Sequence, residues 1–303
     1  MSAVALTDHG NMMGAFQFVK AALAAEVKPI VGCEFNLCGN RKDKTRKDDG
    51  FQTVLLAKNK EGYQNLAKLA SYAYVEGFYY VPRIDKELLE KYKGSLIATT
   101  GGVWGEVPYL ILNVGEHQAE EAFLWYKQQF GEDFYVELNR HGIQEENIIN
   151  ETLLRFAKKY DVKYFAANNT YYTKKEDAIA HDVLLCVKDG EAVSKPKKYI
   201  GKRGREFRFG FPNDQFYLKS PAEMKQLFAD LPDSIITTNE IVDKIESYKL
   251  TRDVLLPKFE IPEEFKDSKD LEDGGKRGEN NYLRHLTLEG AKKRYKEITP
   301  EIQ

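Results

Sequence analysis

The feature that most constrains this chain is the alternation of strand-like and helix-like segments from Ala3 to Ala167, with polar side chains gathered just after the strands. Short apolar runs occupy Ala3–Leu6, residues 30–35, 53–57, 96–100, 134–138 and Tyr164–Ala167. Between them, residues 13–25, 61–74, 117–129 and 145–160 carry apolar side chains at helical spacing, marked in the first by Phe16, Val19 and Leu23. Strands alternating with helices imply a parallel sheet. This many repeats, with polar residues after each strand, favour a barrel over an open sheet, and in a barrel the chemistry sits at the carboxyl ends of the strands. Residues 41–50 are charged and end on a glycine, which reads as a mobile hairpin tip.

The pattern changes after about residue 175. Residues 178–187 read as a helix. Residues 195–208 form a basic stretch with Lys195, Lys197, Lys198, Lys202, Arg203, Arg205 and Arg208, interleaved with Tyr199 and Phe207 and followed by Phe209 and Phe211. Such a stretch contacts phosphates without reading sequence, or it is a solvated loop; Lys197, Lys198, Arg203 and Arg205 are the candidate nucleic-acid contacts. Ser220, Pro221 and Glu223 predict a capped helix start. A further helix is expected over residues 233–245. Residues 266–280 read as a Gly-rich charged linker and residues 282–295 as a last short helix.

The strand-end residues carry the chemistry. Asp8 and His9 follow the first strand, Glu34 is expected to cap the second, and His141 follows a later one. Imidazole and carboxylate donors converging at a barrel mouth can hold divalent metals that activate water and polarise a phosphate ester. A single histidine is more often a hydrogen-bonded structural residue. His181 and Asp182, on an apolar helix, are read as structural, His117 and His285 as surface residues, and Cys33 and Cys186 as core.

The segment from Thr7 to Met12, Thr-Asp-His-Gly-Asn-Met, resembles the second motif of the polymerase and histidinol phosphatase (PHP) superfamily. Several segments narrow the resemblance to the bacterial DNA polymerase III alpha subunits: residues 55–63 (LLAKNKEGY), 76–80 (EGFYY) with 82–85 (PRID), 105–108 (GEVP), 180–186 (AHDVLLC), 216–221 (FYLKSP) and 256–259 (LPKF). They run in order over nearly the whole chain. The resemblance implies a distorted TIM-like (β/α)7 barrel of the PHP superfamily over residues 1–250. Residues 251–303 would be a short helical linker and the start of a palm domain that is missing here. The chain opens straight into a strand, so the first barrel strand, with the family's His-x-His motif, is expected upstream.

The departures from the family pattern fall on the metal ligands. Gly102 stands where metal-binding relatives place a cysteine. Asn169 replaces a carboxylate and Tyr171 an imidazole. His9, Glu34 and His141, with Asp8 beside them, remain as matched ligands. A neutral amide is a poor ligand, and losing two anionic positions and a histidine should remove most of the affinity. The site is therefore expected to be degenerate, with no cofactor required and zinc or manganese held at most weakly. Trp104, close to Gly102, is a candidate for filling the space of a lost metal.

Composition limits the alternatives. Lys and Arg total 45 against 47 Asp and Glu, giving a formal net charge of -2, so any DNA contact must come from a local patch. The three cysteines, Cys33, Cys38 and Cys186, form no disulfide framework and no paired zinc signature. No signal peptide or membrane span is evident, and a soluble cytoplasmic protein is expected. The resemblance implies a parent DNA-directed DNA polymerase, a nucleotidyltransferase of DNA replication, of which this piece is an inactive scaffold and interaction module. Its partners would be the remainder of the alpha subunit, a proofreading exonuclease subunit and, weakly, nonspecific DNA. The alternatives are a metal-dependent phosphoesterase or 3'-5' exonuclease, which would need the absent ligands, and a stand-alone histidinol phosphatase, which lacks the alpha-subunit segments.

Overall fold

In a computed structural model the described residues are 1–201, 204–251, 259–273 and 276–302. They divide into two compact units, Met1–Leu250 and Thr251–Gln303. The first unit opens with β1 (Ala3–Leu6), α1 (Ala15–Ala24), β2 (Lys28–Cys38), β3 (Phe51–Ala57), α2 (Lys60–Val75), β4 (Arg83–Asp85), α3 (Lys86–Tyr92) and β5 (Leu96–Thr99). There follow α4 (Glu106–Asn113), α5 (Glu116–Phe130), β6 (Phe134–Asn139), α6 (Gln144–Tyr160), β7 (Tyr164–Ala167) and α7 (Ala178–Asp189). The two-residue strands β8 (Lys197–Lys198) and β9 (Arg208–Phe209), then α8 (Pro221–Leu227) and α9 (Pro232–Lys244), complete it.

Seven strands form one curled sheet in the order β1-β2-β3-β5-β6-β7, with β4 on β2, and β8 pairs with β9 in a separate parallel ribbon. It differs from the expected parallel barrel in two respects. β3 runs antiparallel to both β2 and β5, because β2 and β3 are joined as a hairpin through residues 39–50 and no helix intervenes to reverse the chain. The sheet is also not closed: among the described residues β1 pairs only with β2, and β7 only with β6.

Both faces of the sheet are covered, so the strands read as apolar runs. Alternate residues point to opposite faces. Cys33, Phe35, Leu55, Ala98, Phe134, Val136 and Leu138 join the large core with α2, α5 and α6. The opposite face is apolar at one end, where Ile30, Leu56, Ile97 and Tyr135 pack on Ile241 and Ile245. Farther along the same strands, period-two alternation puts Glu34, Thr99, Glu137 and Asn139 on that face. One surface thus changes from core to site within a few residues. In α1 the buried phase is Ala15, Val19 and Ala22. Phe16 and Leu23, expected on the buried face, are exposed, because small residues let the helix lie close to β2.

The hairpin loop expected to be mobile is held from beneath. Arg83 is fully buried, and its guanidinium donates to the carbonyls of Gly77, Asp48, Arg41 and Asp43. Arg41, also buried, pairs with Asp85 at 2.7 Å and with Glu76 at 3.0 Å. Gly77 permits this approach: a Cβ there would lie 1.9 Å from the Arg83 carbonyl oxygen.

The second unit holds α10 (Asp270–Asp273) and α11 (Lys276–Arg294). α11 begins within the segment expected to be linker, since Lys276, Arg277 and Glu279 to Asn280 continue the helix that the apolar spacing marks only from Tyr282. Most of the LPKF segment lies outside the described residues. No helix among the described residues is long and apolar enough to cross a membrane.

Candidate functional site

The pairing of β1 with β2 continues beyond the strand. The Glu34 amide donates to the Asp8 carbonyl at 3.1 Å, and the Gly10 amide to the Glu34 carbonyl at 2.7 Å. This register sets His9 beside Glu34, with Nδ1 2.6 Å from Oε1. Glu34 therefore lies inside the eleven-residue β2 and does not cap it; the strand runs on because it also accepts β4. Asp8 is half-buried and turned toward α1, its Oδ2 close to Gly14. Cys33, behind Glu34, donates its thiol to the carbonyls of Asp8 and Asn11. Burial, reinforced by the Glu34 charge, pushes that thiol up to about 12, so it is a core residue and no thiolate ligand.

His141 follows β6 and is buried. Its Nδ1 lies 2.6 Å from Glu146 Oε1, and its backbone amide donates to Glu146 Oε2 at 2.5 Å. Its ring stacks on Phe216 at 4.3 Å between centroids and 3° between planes. Nε2 is buried without a partner. Glu146 sits in the first turn of α6, where a carboxylate also favours the helix dipole.

Glu137 is a site residue that the sequence reading missed. It accepts from Thr99 Oγ1 at 2.7 Å and from Asn139 Nδ2 at 2.9 Å. Burial raises its pKa above the ordinary carboxylate range, against the lowering effect of those two bonds, and the Glu34 charge adds to the rise. Its position two residues after Tyr135 on an alternating strand was the available signal. Asn139 Oδ1 is a second buried atom without a partner.

The three substituted positions lie at the same place. A side chain on Gly102 would meet the amides of Asn139 at 3.6 Å and Asn169 at 4.0 Å. Tyr171 has its phenol pushed up by burial and by the Glu34 charge. Its ring contacts Phe211 at 4.6 Å and His181 at 5.8 Å. Trp104 packs edge-on against Tyr199 at 5.7 Å, and Tyr199 in turn contacts Phe211 and Phe216. An aromatic cluster thus backs His141. Among the described residues no three His, Cys, Asp or Glu side chains come together to hold a metal. His9, Glu34 and His141 keep donor atoms, His141 through its unpartnered Nε2 with Nδ1 held by Glu146, whereas Gly102, Asn169 and Tyr171 add no charged donor, which is few for a cluster of two or three metals.

A cavity of about 760 Å³ opens beside these residues. Asp8, His9, Glu34, Asn169 and Tyr171 line one part of it, and the edges of β1 and β7 with Ile241 of α9 line the rest.

The basic stretch is less available to phosphates than its composition suggests. Arg208 is buried and forks onto Asp182 with two bonds of 2.8 Å. Lys195 pairs with Glu191, and Lys197 lies 3.5 Å from Asp182. Lys198 lies over Phe207 at 5.7 Å, and Arg205 is exposed. Arg203 and Lys202 lie outside the described residues. Tyr199 and Phe211 face the core, so they are not stacking platforms.

Residues 1–141 match the PHP domain family. The chain is 42% identical over 308 residues to DNA polymerase III subunit alpha of Borreliella burgdorferi, which covers all of this chain and 25% of the relative. It is 35% identical to the subunit of Treponema pallidum, over 99% of this chain and 24% of that one. For Thermus aquaticus the identity is 36%, over 97% and 23%. The chain thus spans about a quarter of the length of these relatives.

Proposed function

We propose that the chain, with a PHP match in its first 141 residues and similarity to alpha subunits along its whole length, belongs to the DNA polymerase III alpha family and is the PHP region of a replicative polymerase, acting as scaffold and not as hydrolase. The observation that carries the scaffold reading is the set of uncharged residues at the site: Gly102 faces the amides of Asn139 and Asn169, and Tyr171 presents a phenol that burial and the Glu34 charge keep protonated. His141 is held by Glu146 through Nδ1 and its backbone amide and is stacked on Phe216.

The distorted (β/α)7 barrel belongs to the same proposal. Among the described residues two strand edges, on β1 and β7, are unpaired and flank a cavity with an apolar wall. One added strand between them would satisfy both edges. The parent protein would work in the cytoplasm. Its partners would be the rest of the alpha subunit, a proofreading exonuclease subunit and weakly bound DNA. For the last, Lys197, Lys198, Arg203 and Arg205 remain the candidates, now reduced by the pairing of Lys197 with Asp182.

Primer extension tests the family function. The product of the complete reading frame should extend primed DNA with nucleotides and magnesium, and this 303-residue chain alone should not. Extension by the 303-residue chain above a no-enzyme control, or none by the complete product, contradicts the proposal. A metal-dependent phosphoesterase or exonuclease remains the second reading, and one observation favours it: the unpartnered, buried Nε2 of His141.

A further inference from the structure

Helix α7 has the wrong composition for its surroundings. Eight of its twelve residues are apolar (Ala178, Ile179, Ala180, Val183, Leu184, Leu185, Cys186 and Val187), yet only Cys186 is buried. Ile179 is 78% exposed, Leu184 63% and Val187 73%, with Val183 also exposed. At about 100° per residue these four and Ala180 fall within an arc of roughly 140°, a continuous stripe. The opposite side of the helix makes the attachments: Asp182 takes Arg208, and His181 packs on Tyr171, Tyr172 and Phe211. A helix that attaches by its polar side and turns its apolar stripe to water marks a face that a partner covers.

The stripe borders a socket. A cavity of about 370 Å³ lies at the first turn of α7, walled by Ile179, Tyr172, Phe211 and His181, with Asp182 and Asn213 among its polar groups. An apolar ridge beside an aromatic-walled cavity is the arrangement of an interface centre, where one bulky side chain seats while its neighbours exclude water.

We infer that the α7 stripe, with its adjoining socket, is the docking face for an amphipathic segment of the same polypeptide, supplied by the part of the alpha subunit beyond the quarter represented here. The inference rests on the polymerase reading above. The relatives are about four times as long as the matched segment, so a polypeptide of their length has ample further chain to supply such a segment. A partner tethered in the same polypeptide also has a high effective concentration, so a stripe of four exposed side chains suffices without a large interface.

Alkylation of a Leu184→Cys variant, resolved by peptide, tests this in the product of the complete reading frame and in the 303-residue chain. The introduced thiol should react at least ~100-fold more slowly in the complete polymerase, independent of protein concentration. Equal rates in the two proteins overturn the inference. Protection that is lost on dilution also overturns it, in favour of a second copy. Leu184→Glu supplies a second readout: it should lower the melting temperature of the complete polymerase and leave that of the 303-residue chain unchanged, and a drop in both, meaning a side chain needed within this region, counts against docking. Primer extension by the same preparation separates the two readings. Active extension with the introduced thiol unprotected refutes the docking face alone, whereas protection without extension refutes the polymerase function alone.

Discussion

At the scale of residues, Arg83 and Glu137 are two ionisable side chains taken from water for different reasons. Arg83 is buried with four backbone carbonyls as its acceptors, and its planar fork fixes the loop from Arg41 to Asp48. Arg83→Met would leave those carbonyls without donors. It should cost about 3 kcal/mol or more, and Arg83→Lys should recover only part of this; thermal unfolding of the two variants checks it. Glu137 is the opposite case, because its raised pKa means that the folded protein keeps a proton the unfolded chain releases. That contribution is whole below the ordinary value of 4.5 and is lost as pH rises through the elevated folded value. Glu137→Gln should therefore flatten the fall of stability with pH above 4.5, and a denaturation series in urea against pH, with an unchanged slope in the variant, would contradict this. Neither role was legible in the sequence. A buried arginine and a half-buried glutamate look like surface charges until the fold supplies their partners, whereas Asn169 and Tyr171 stood out because their types depart from the ligand pattern.

At the scale of elements, what is local was readable and what is tertiary was not. Ser220 and Glu223 form the reciprocal cap read from their spacing: the Ser220 amide donates to Glu223 Oε2 at 2.7 Å and the Glu223 amide to Ser220 Oγ at 3.3 Å. Ser220→Ala should cost about 1 kcal/mol, measured as a shift in the urea midpoint with an unchanged slope. The strand–helix alternation was likewise visible, because its periods are properties of short windows. The direction of β3, the length of β2 beyond Glu34 and the buried phase of α1 depend on which neighbour each element meets. Arg208 makes the same point: it counted as part of a phosphate-binding stretch until Asp182 of α7 took both of its terminal nitrogens.

At the scale of the whole molecule, a covered, curled sheet brings to one place the strand-end residues that the proposal reads as a degenerate metal site. Gly102, Asn139 and Asn169 still face one another, so the change is in chemistry more than in shape. Restoring charge there should restore affinity: Gly102→Cys with Asn169→Asp and Tyr171→His should bind zinc at least ~10-fold more tightly than the parent chain, since thiolate, carboxylate and imidazole are ligands that glycine, amide and phenol are not. Calorimetric titration of both proteins checks this, and an unchanged affinity would mean that these positions do not share a site. The most direct test of the central claim is metal analysis of the purified parent chain after incubation with zinc and manganese, paired with phosphatase and 3'-5' exonuclease assays. Well under one ion per chain and no hydrolysis above a no-enzyme control are expected; near-stoichiometric metal with hydrolysis that Glu34→Ala abolishes would overturn the scaffold reading.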